Sequence, residues 1–152
     1  EEALQRVKYL KHVIENNDGY RVFYLDGKPV KRERDLHTMY RLTWYATAFD
    51  VNAEVNNGRG PVDYKVSKGK RNASLVEFKL ASNSSLRRNL EKQVEVYAKA
   101  SQTEKSIKVI LYFCETELEK VTKVLCDLKI QDREDIVLID AGRDNKTSGS
   151  KT

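Results

Sequence analysis

The sequence predicts an α/β domain with a mixed central sheet flanked by helices. Three short segments at 50–56, 62–67 and 74–81 are predicted as successive strands, with turn-forming residues between them. Helical and strand patterns then alternate along the rest of the chain, an order typical of strands joined by helices. The chain has 152 residues, the size of a single domain.

A helix and a hairpin are predicted before this core. Residues 1–15 carry apolar side chains at helical spacing, and the NNDG sequence that follows ends the helix. Residues 20–25 are predicted as a strand, with Asp26-Gly27 as the hairpin turn after it. A second helix is predicted from Glu33 to about Ala48.

The remaining elements complete an αβββαβ order. A long helix is predicted over 85–100, and the apolar segment 107–113 is predicted as a central strand. A helix at 115–128 and a short strand at 136–140 follow. We therefore expect one domain over 1–140, in which 1–32 precede a core at 33–140, and a polar flexible tail over 141–152. Because the chain begins with Glu1 rather than Met, we expect it to be a piece of a longer protein.

Composition excludes several classes of protein. No apolar stretch approaches the roughly 20 residues that a membrane span needs, and the charged first ten residues do not resemble a signal peptide. Cys114 and Cys126 match neither a disulfide framework nor a zinc or iron–sulfur ligand set, so we expect a reducing, cytoplasmic setting. His12 and His37 are isolated on helical segments and are assigned no catalytic role.

Positive charge is concentrated between Arg59 and Arg88, where eight basic residues stand against two acidic ones. Such a segment suits the phosphate backbone of a nucleic acid or an acidic partner, and a well-solvated surface explains it equally well. The candidate phosphate contacts are Arg59, Lys68, Lys70, Arg71, Arg87 and Arg88. For Arg87 and Arg88, the position on a predicted helix favours ordinary surface charges over specific phosphate contacts.

A carboxylate and a lysine are predicted on one face of the strand at 74–81. Its apolar residues share the other face, because side chains alternate along a strand. If this strand and 62–67 form a hairpin, Asp63 approaches Glu77 beside Lys79. Neighbouring carboxylates repel each other unless a cation lies between them, and oxygen ligands suit Mg²⁺ or Mn²⁺. Replacing either carboxylate is then expected to leave the stability of the metal-free protein level or higher.

Two motifs resemble the signature of the PD-(D/E)XK nuclease superfamily, which has the restriction-endonuclease-like fold. Pro61-Val62-Asp63, followed after fourteen positions by Glu77-Phe78-Lys79, is similar to the signature with one residue inserted between Pro and Asp. Gln93 and Tyr97 in the next helix are similar to the QxxxY element of the RecB-like branch. The resemblance covers about 33–140 and includes the αβββαβ order.

This resemblance implies a metal-dependent nuclease that uses Mg²⁺ or Mn²⁺, with DNA as the expected substrate. Asp63 and Glu77 would ligate the metal together with the backbone carbonyl of Phe78. Lys79 would position the attacking water and stabilise charge on the scissile phosphate. The structural alternatives are an ion pair of Asp63 with a neighbouring lysine, and a solvated strand face for the other two side chains.

Four further residues receive roles by the same resemblance. Glu54 would bind metal through water or help a second metal, and Glu33 matches an acidic residue that many members bring from the preceding helix. Gln93 would orient the site, and Tyr97 would contact substrate or the sheet. Surface positions explain Glu33 and Glu54 equally well, and core packing is the favoured alternative for Tyr97. A homodimer or further domains of a longer chain are the expected protein partners.

Two other functions are compatible with the sequence. A non-cleaving nucleic-acid-binding or assembly module on the same fold could belong to a larger defence or repair protein. The intact Asp63, Glu77 and Lys79 argue against it, because a degenerate member usually lacks one of the three. A protein-binding domain whose basic segment meets an acidic partner is the other alternative.

Overall fold

The computed structural model describes residues 2–44, 50–56, 61–67, 73–99 and 104–146. Within this part, four α-helices and a mixed sheet confirm the predicted α/β class and the αβββαβ order of the core. No helix in the described part is both long and apolar enough to cross a lipid bilayer.

The N-terminal unit is a helix followed by a 3-10 turn and a small hairpin. Its elements are α1 (Glu2–Asn16), a 3-10 helix (Gly19–Phe23), β1 (Tyr24–Leu25) and β2 (Lys28–Pro29). The hairpin turn is as predicted, but the prediction of a strand over 20–25 is wrong for most of that segment. The three-residue period of the 3-10 helix turns both Tyr20 and Phe23 into the core, whereas a strand would place them on opposite faces.

The second helix, α2, spans Glu33–Leu42 and is shorter than predicted. The Thr43 N–H bonds to the Tyr40 carbonyl oxygen at 3.0 Å and closes the last turn. Trp44 is outside the helix and buried, with the Arg6 guanidinium 4.7 Å from the centre of its ring. Residues 45–48 of the predicted helix lie outside the described residues.

Five strands form the main sheet, and their order in it follows the chain. They are β3 (Asp50–Asn56), β4 (Pro61–Ser67), β5 (Ala73–Leu80), β6 (Glu104–Tyr112) and β7 (Ile136–Asp140). The first three pair antiparallel, and β5, β6 and β7 pair parallel. The parallel pairs are connected by α3 (Leu86–Lys99) and α4 (Glu115–Asp127). β6 has a strand on each side, as its apolar sequence predicted.

A helical layer covers each face of the sheet. Phe78 of β5 packs in a core with side chains of α1 and α2, and Ile110 of β6 packs on the opposite face with α3 and α4. Glu77 and Lys79 are half-buried and alternate with buried apolar positions, which confirms the predicted faces of β5.

The polar segment after β7 is held against the N-terminal hairpin. The Tyr24 hydroxyl donates to the Ala141 carbonyl oxygen at 2.8 Å, and the Arg143 guanidinium donates to the Gly27 carbonyl oxygen at 3.1 Å. Specific contacts therefore extend into the segment predicted as a flexible tail, of which 147–152 lie outside the described residues.

Candidate functional site

β4 separates from β5 at Asp63. The last pair between the two strands joins Tyr64 to Val76, and β4 continues beyond it paired with β3. Backbone groups of a strand point to alternate sides, so the N–H groups of Phe78 and Leu80 lie on the side of β5 that β4 has left. We call this side of β5, from Phe78 to Leu80, the open edge.

Two carboxylates accept the hydrogen bonds of the open edge. Asp63 Oδ2 accepts from the Phe78 N–H at 2.6 Å. Glu33 Oε1, in the first turn of α2, accepts from the Leu80 N–H at 3.3 Å and from Asn83 Nδ2 at 3.2 Å. These bonds satisfy backbone donors that would otherwise lose their partners in a half-buried position. The open edge therefore gathers two of the predicted site residues.

His37 lies one helical turn after Glu33 and contacts Asp63. Its Nε2 atom is 3.2 Å from Asp63 Oδ2, a close electrostatic contact. The centre of its ring lies 5.4 Å from that of Phe78, and its backbone carbonyl accepts a hydrogen bond from the Tyr64 hydroxyl at 2.7 Å. The histidine to which the sequence analysis assigned no role is thus fixed against the central carboxylate of the site.

The pKa of Asp63 is lower than its usual value of 3.8. Burial alone would raise this pKa, because it disfavours the charged form. The contact with His37 and the hydrogen bond from the Phe78 N–H stabilise the carboxylate, and the electrostatic interactions with His37 and Lys79 add to this effect. These contributions together exceed the effect of burial, so that Asp63 is ionised at neutral pH.

Asp63→Asn is expected to lower the free energy of unfolding at pH 7 by about 1–2 kcal/mol, the scale of a hydrogen bond to a charged group with some solvent access. A lowered pKa in the folded state stabilises the protein above the ordinary pKa of the group, and this contribution is lost as the pH falls below about 4. Urea unfolding of both proteins at pH 7 and at pH 3 should therefore show the difference shrinking in acid. A difference of equal size at both pH values would contradict the assignment.

Glu77 pairs with a buried lysine of the neighbouring strand. The parallel register of β5 and β6 places Glu77 beside Lys108, whose ammonium group contacts Glu77 Oε2. The Lys108 side chain is 3% exposed and that of Glu77 is 23% exposed. Asp63 thus contacts His37 and Glu77 contacts Lys108, and the sequence-based argument from repulsion between the two carboxylates does not apply. We therefore expect that replacing Glu77 lowers the free energy of unfolding, contrary to the expectation from the sequence.

Lys79 completes the charged face of β5. It is half-buried, two residues after Glu77 on the same face, and its charge acts on Asp63. Within the described residues its ammonium group has no hydrogen bond and no ion pair. A lysine that faces a carboxylate and is not committed to a fixed contact can bind a phosphate oxygen or orient a water molecule.

The sequence from residue 1 to residue 115 matches a family model described as a domain of unknown function, DUF8371. The chain belongs to this family. No curated protein matches the sequence. The DUF8371 match includes the whole open edge, with Glu33, Asp63, Glu77 and Lys79, and it ends at the start of α4.

Gln93 of α3 is 6% exposed, in a helix that packs on the sheet through Leu86 and Leu90. Tyr97 follows it by four residues on the same helix, but its side chain lies outside the described part of the chain. The side chain of Glu54 also lies outside it, although the strand register places this residue opposite Asp63, between two recorded pairs of β3 and β4.

The predicted basic surface is described only in part. Arg87 forms an ion pair with Asp127 of α4 at 2.8 Å, and Arg88 is exposed. The remaining four candidates, Arg59, Lys68, Lys70 and Arg71, lie outside the described residues. The pairing of Arg87 favours the interpretation of a helix-surface charge, which the sequence also favoured.

The predicted metal ligands are two carboxylates and one backbone carbonyl. Among the described residues, no three carboxylate, histidine or cysteine side chains gather closely enough to hold a metal ion. Asp63 and Glu77 each use one carboxylate oxygen in the contacts above, and the Phe78 carbonyl points to the same side of β5 as its N–H. Carboxylate and carbonyl oxygens are the donors that Mg²⁺ and Mn²⁺ prefer. The predicted ligands of this DUF8371 domain are therefore oxygen donors, and in the structure each carboxylate contacts a different side chain, His37 for Asp63 and Lys108 for Glu77.

Two residues of the site were missed by sequence reasoning, although both left a signal. His37 follows Glu33 by four residues, a spacing that places both on one face of a helix. Lys108 is the single charged residue in the apolar segment 107–113, and a lysine in such a strand needs a counter-ion. Neither signal identifies the carboxylate partner, which only the packing of α2 and β6 against β5 provides.

Proposed function

We propose that this domain is a metal-dependent phosphodiesterase of the PD-(D/E)XK type that cleaves nucleic acid, with DNA as the expected substrate. The observation that carries the proposal is the position of Asp63 where β4 leaves β5, hydrogen-bonded to the Phe78 N–H immediately before Lys79. The αβββαβ order and the two sequence motifs support it.

The residues of the site divide the chemistry between them. Asp63 and Glu77 would hold a divalent cation with the Phe78 carbonyl, and a cation bound there would neutralise charge on the phosphate and lower the pKa of a bound water. The Phe78 N–H and His37 keep Asp63 ionised and fixed in one orientation. Lys79 orients the attacking water and stabilises the negative charge that grows on the phosphate oxygens.

Cleavage assays test this function. Supercoiled plasmid, linear duplex and single-stranded DNA are incubated with the protein and Mg²⁺ or Mn²⁺, and EDTA replaces the metal in a parallel series. We expect cleavage of at least one substrate with metal, and none in EDTA or with Asp63→Asn. The matched control is Lys105→Ala, because this exposed lysine lies beside Ser74 at the opposite end of β5. Absence of cleavage under all conditions would contradict the proposal.

A non-cleaving nucleic-acid-binding module is the second candidate, and the Glu77–Lys108 pair favours it. Lys108 already supplies Glu77 with a positive charge, and Asp63 already accepts its hydrogen bond from Phe78. A module of this kind would bind DNA equally well in EDTA and in Mg²⁺. Isothermal titration with Mn²⁺ separates the two candidates, because the nuclease binds the cation and loses it with Asp63→Asn, whereas the module shows no heat of binding.

A further inference from the structure

One flank of α2 carries two exposed arginines beside the open edge. Successive residues of a helix are about 100° apart, so Arg34 and Arg41, seven residues apart, lie within about 20° of the same line along α2. His37 is about 40° from Arg41 on the side towards the sheet. Leu36 and Tyr40 are buried, His37 is half-buried, and both arginines are exposed. The arginines therefore lie on the exposed side of α2, next to the flank that carries His37.

The charges of α2 are arranged asymmetrically. Arg32 is paired with Asp35 at 3.1 Å, and Asp35 lies about 100° from Arg34 on the flank of α2 that points away from His37. Glu33, the other acid of the helix, is occupied by the backbone of the open edge. Within the described residues, the side chains of Arg34 and Arg41 have no hydrogen-bond or ion-pair partner. The flank next to the site thus carries two uncompensated positive charges.

We propose that this flank of α2, formed by Arg34 and Arg41, is the surface along which the phosphate backbone of a nucleic acid lies when it enters the site. The inference rests on the proposed function, because it names the partner of the same site. The two residues are separated by about 10 Å along the helix axis, a length over which a DNA duplex carries about six phosphates. Arginine suits phosphate because its planar guanidinium can donate two hydrogen bonds to one group.

The test measures binding of a labelled 30-base-pair duplex by fluorescence anisotropy in EDTA, from 50 to 300 mM KCl. For Arg34→Gln/Arg41→Gln we expect affinity at 100 mM KCl to fall about tenfold. The slope of log affinity against log salt should become shallower by about 2, because each lost phosphate contact removes about 0.9. The control, Lys123→Gln/Lys129→Gln, has the same change of charge on exposed residues of and next to α4, on the opposite face of the sheet. It should bind like the parent protein.

The inference would be overturned by a salt slope for the arginine variant equal to that of the parent, by an equal loss in the control, or by the absence of salt-dependent binding by the parent. Loss of affinity for poly-glutamate with no loss for DNA would instead mark the flank as a surface for an acidic protein, and would also overturn it. The outcome is separable from that of the proposed function. If the parent cleaves DNA but the arginine variant keeps the parental salt slope, the proposed nuclease function stands and the proposed binding surface on α2 is wrong. If the slope changes but the parent cleaves no substrate, the binding surface stands and the nuclease function is wrong.

Discussion

Lys79→Ala is expected to slow phosphodiester cleavage by at least about a hundredfold, which corresponds to about 2.7 kcal/mol of transition-state stabilisation. The ammonium group lies on the face of β5 that carries Glu77, and its charge acts on Asp63. Its removal takes away a positive charge near the position where the phosphate becomes more negative. Single-turnover cleavage of a labelled duplex in Mg²⁺ measures the effect, and binding of DNA and of Mn²⁺ should change little.

Two comparisons make the result specific to Lys79. Lys79→Arg should not restore cleavage, because the guanidinium is larger and retains its proton at working pH. Lys105→Ala should cleave at the parental rate, since its position beside Ser74 is far along β5 from the site. A Lys79→Ala protein that cleaves as fast as the parent would remove the main support for the proposed activity.

Glu77→Ala is expected to lower the free energy of unfolding in EDTA by about 2–4 kcal/mol. The substitution leaves the ammonium group of Lys108 charged in a position that is 3% exposed, and stranding a buried charge is among the costliest effects of a single substitution. The expected loss is less than for a fully enclosed pair, because Glu77 is 23% exposed and water can reach the vacated space. Urea unfolding at pH 7 gives the value.

If the unpaired charge of Lys108 causes the loss of stability in Glu77→Ala, replacing Lys108 as well should restore stability. Glu77→Leu combined with Lys108→Met should recover most of the parental stability, because apolar side chains of similar size often replace a buried ion pair without cost. Glu95→Ala, on an exposed position of α3, should change the free energy of unfolding by less than about 0.5 kcal/mol. If Glu77→Ala were as stable as this control, the contact between Glu77 and Lys108 would contribute nothing to the fold.

Most of the fold could be predicted from local sequence, whereas two elements were predicted incorrectly. The strands of the core and the alternating faces of β5 follow from side-chain periodicity, which needs no knowledge of the rest of the chain. The aromatic and aliphatic residues at 20–25 also suggested a strand, but packing two aromatic rings on one side selected a 3-10 helix. The second helix was predicted too long because its apolar residues continue past Leu42, where the structure ends it.

The sequence by itself determined the identities of the carboxylates and of Lys79, their placement on neighbouring strands, and the face of β5 on which Glu77 lies. Only the tertiary structure decided the partner of each carboxylate. The contact of His37 with Asp63 spans 26 residues, and that of Lys108 with Glu77 spans 31. Both depend on where β4 leaves β5 and on how α2 and β6 flank that strand. Periodicity specifies the direction of a side chain, whereas its partner depends on strand register and helix packing, which long-range burial fixes.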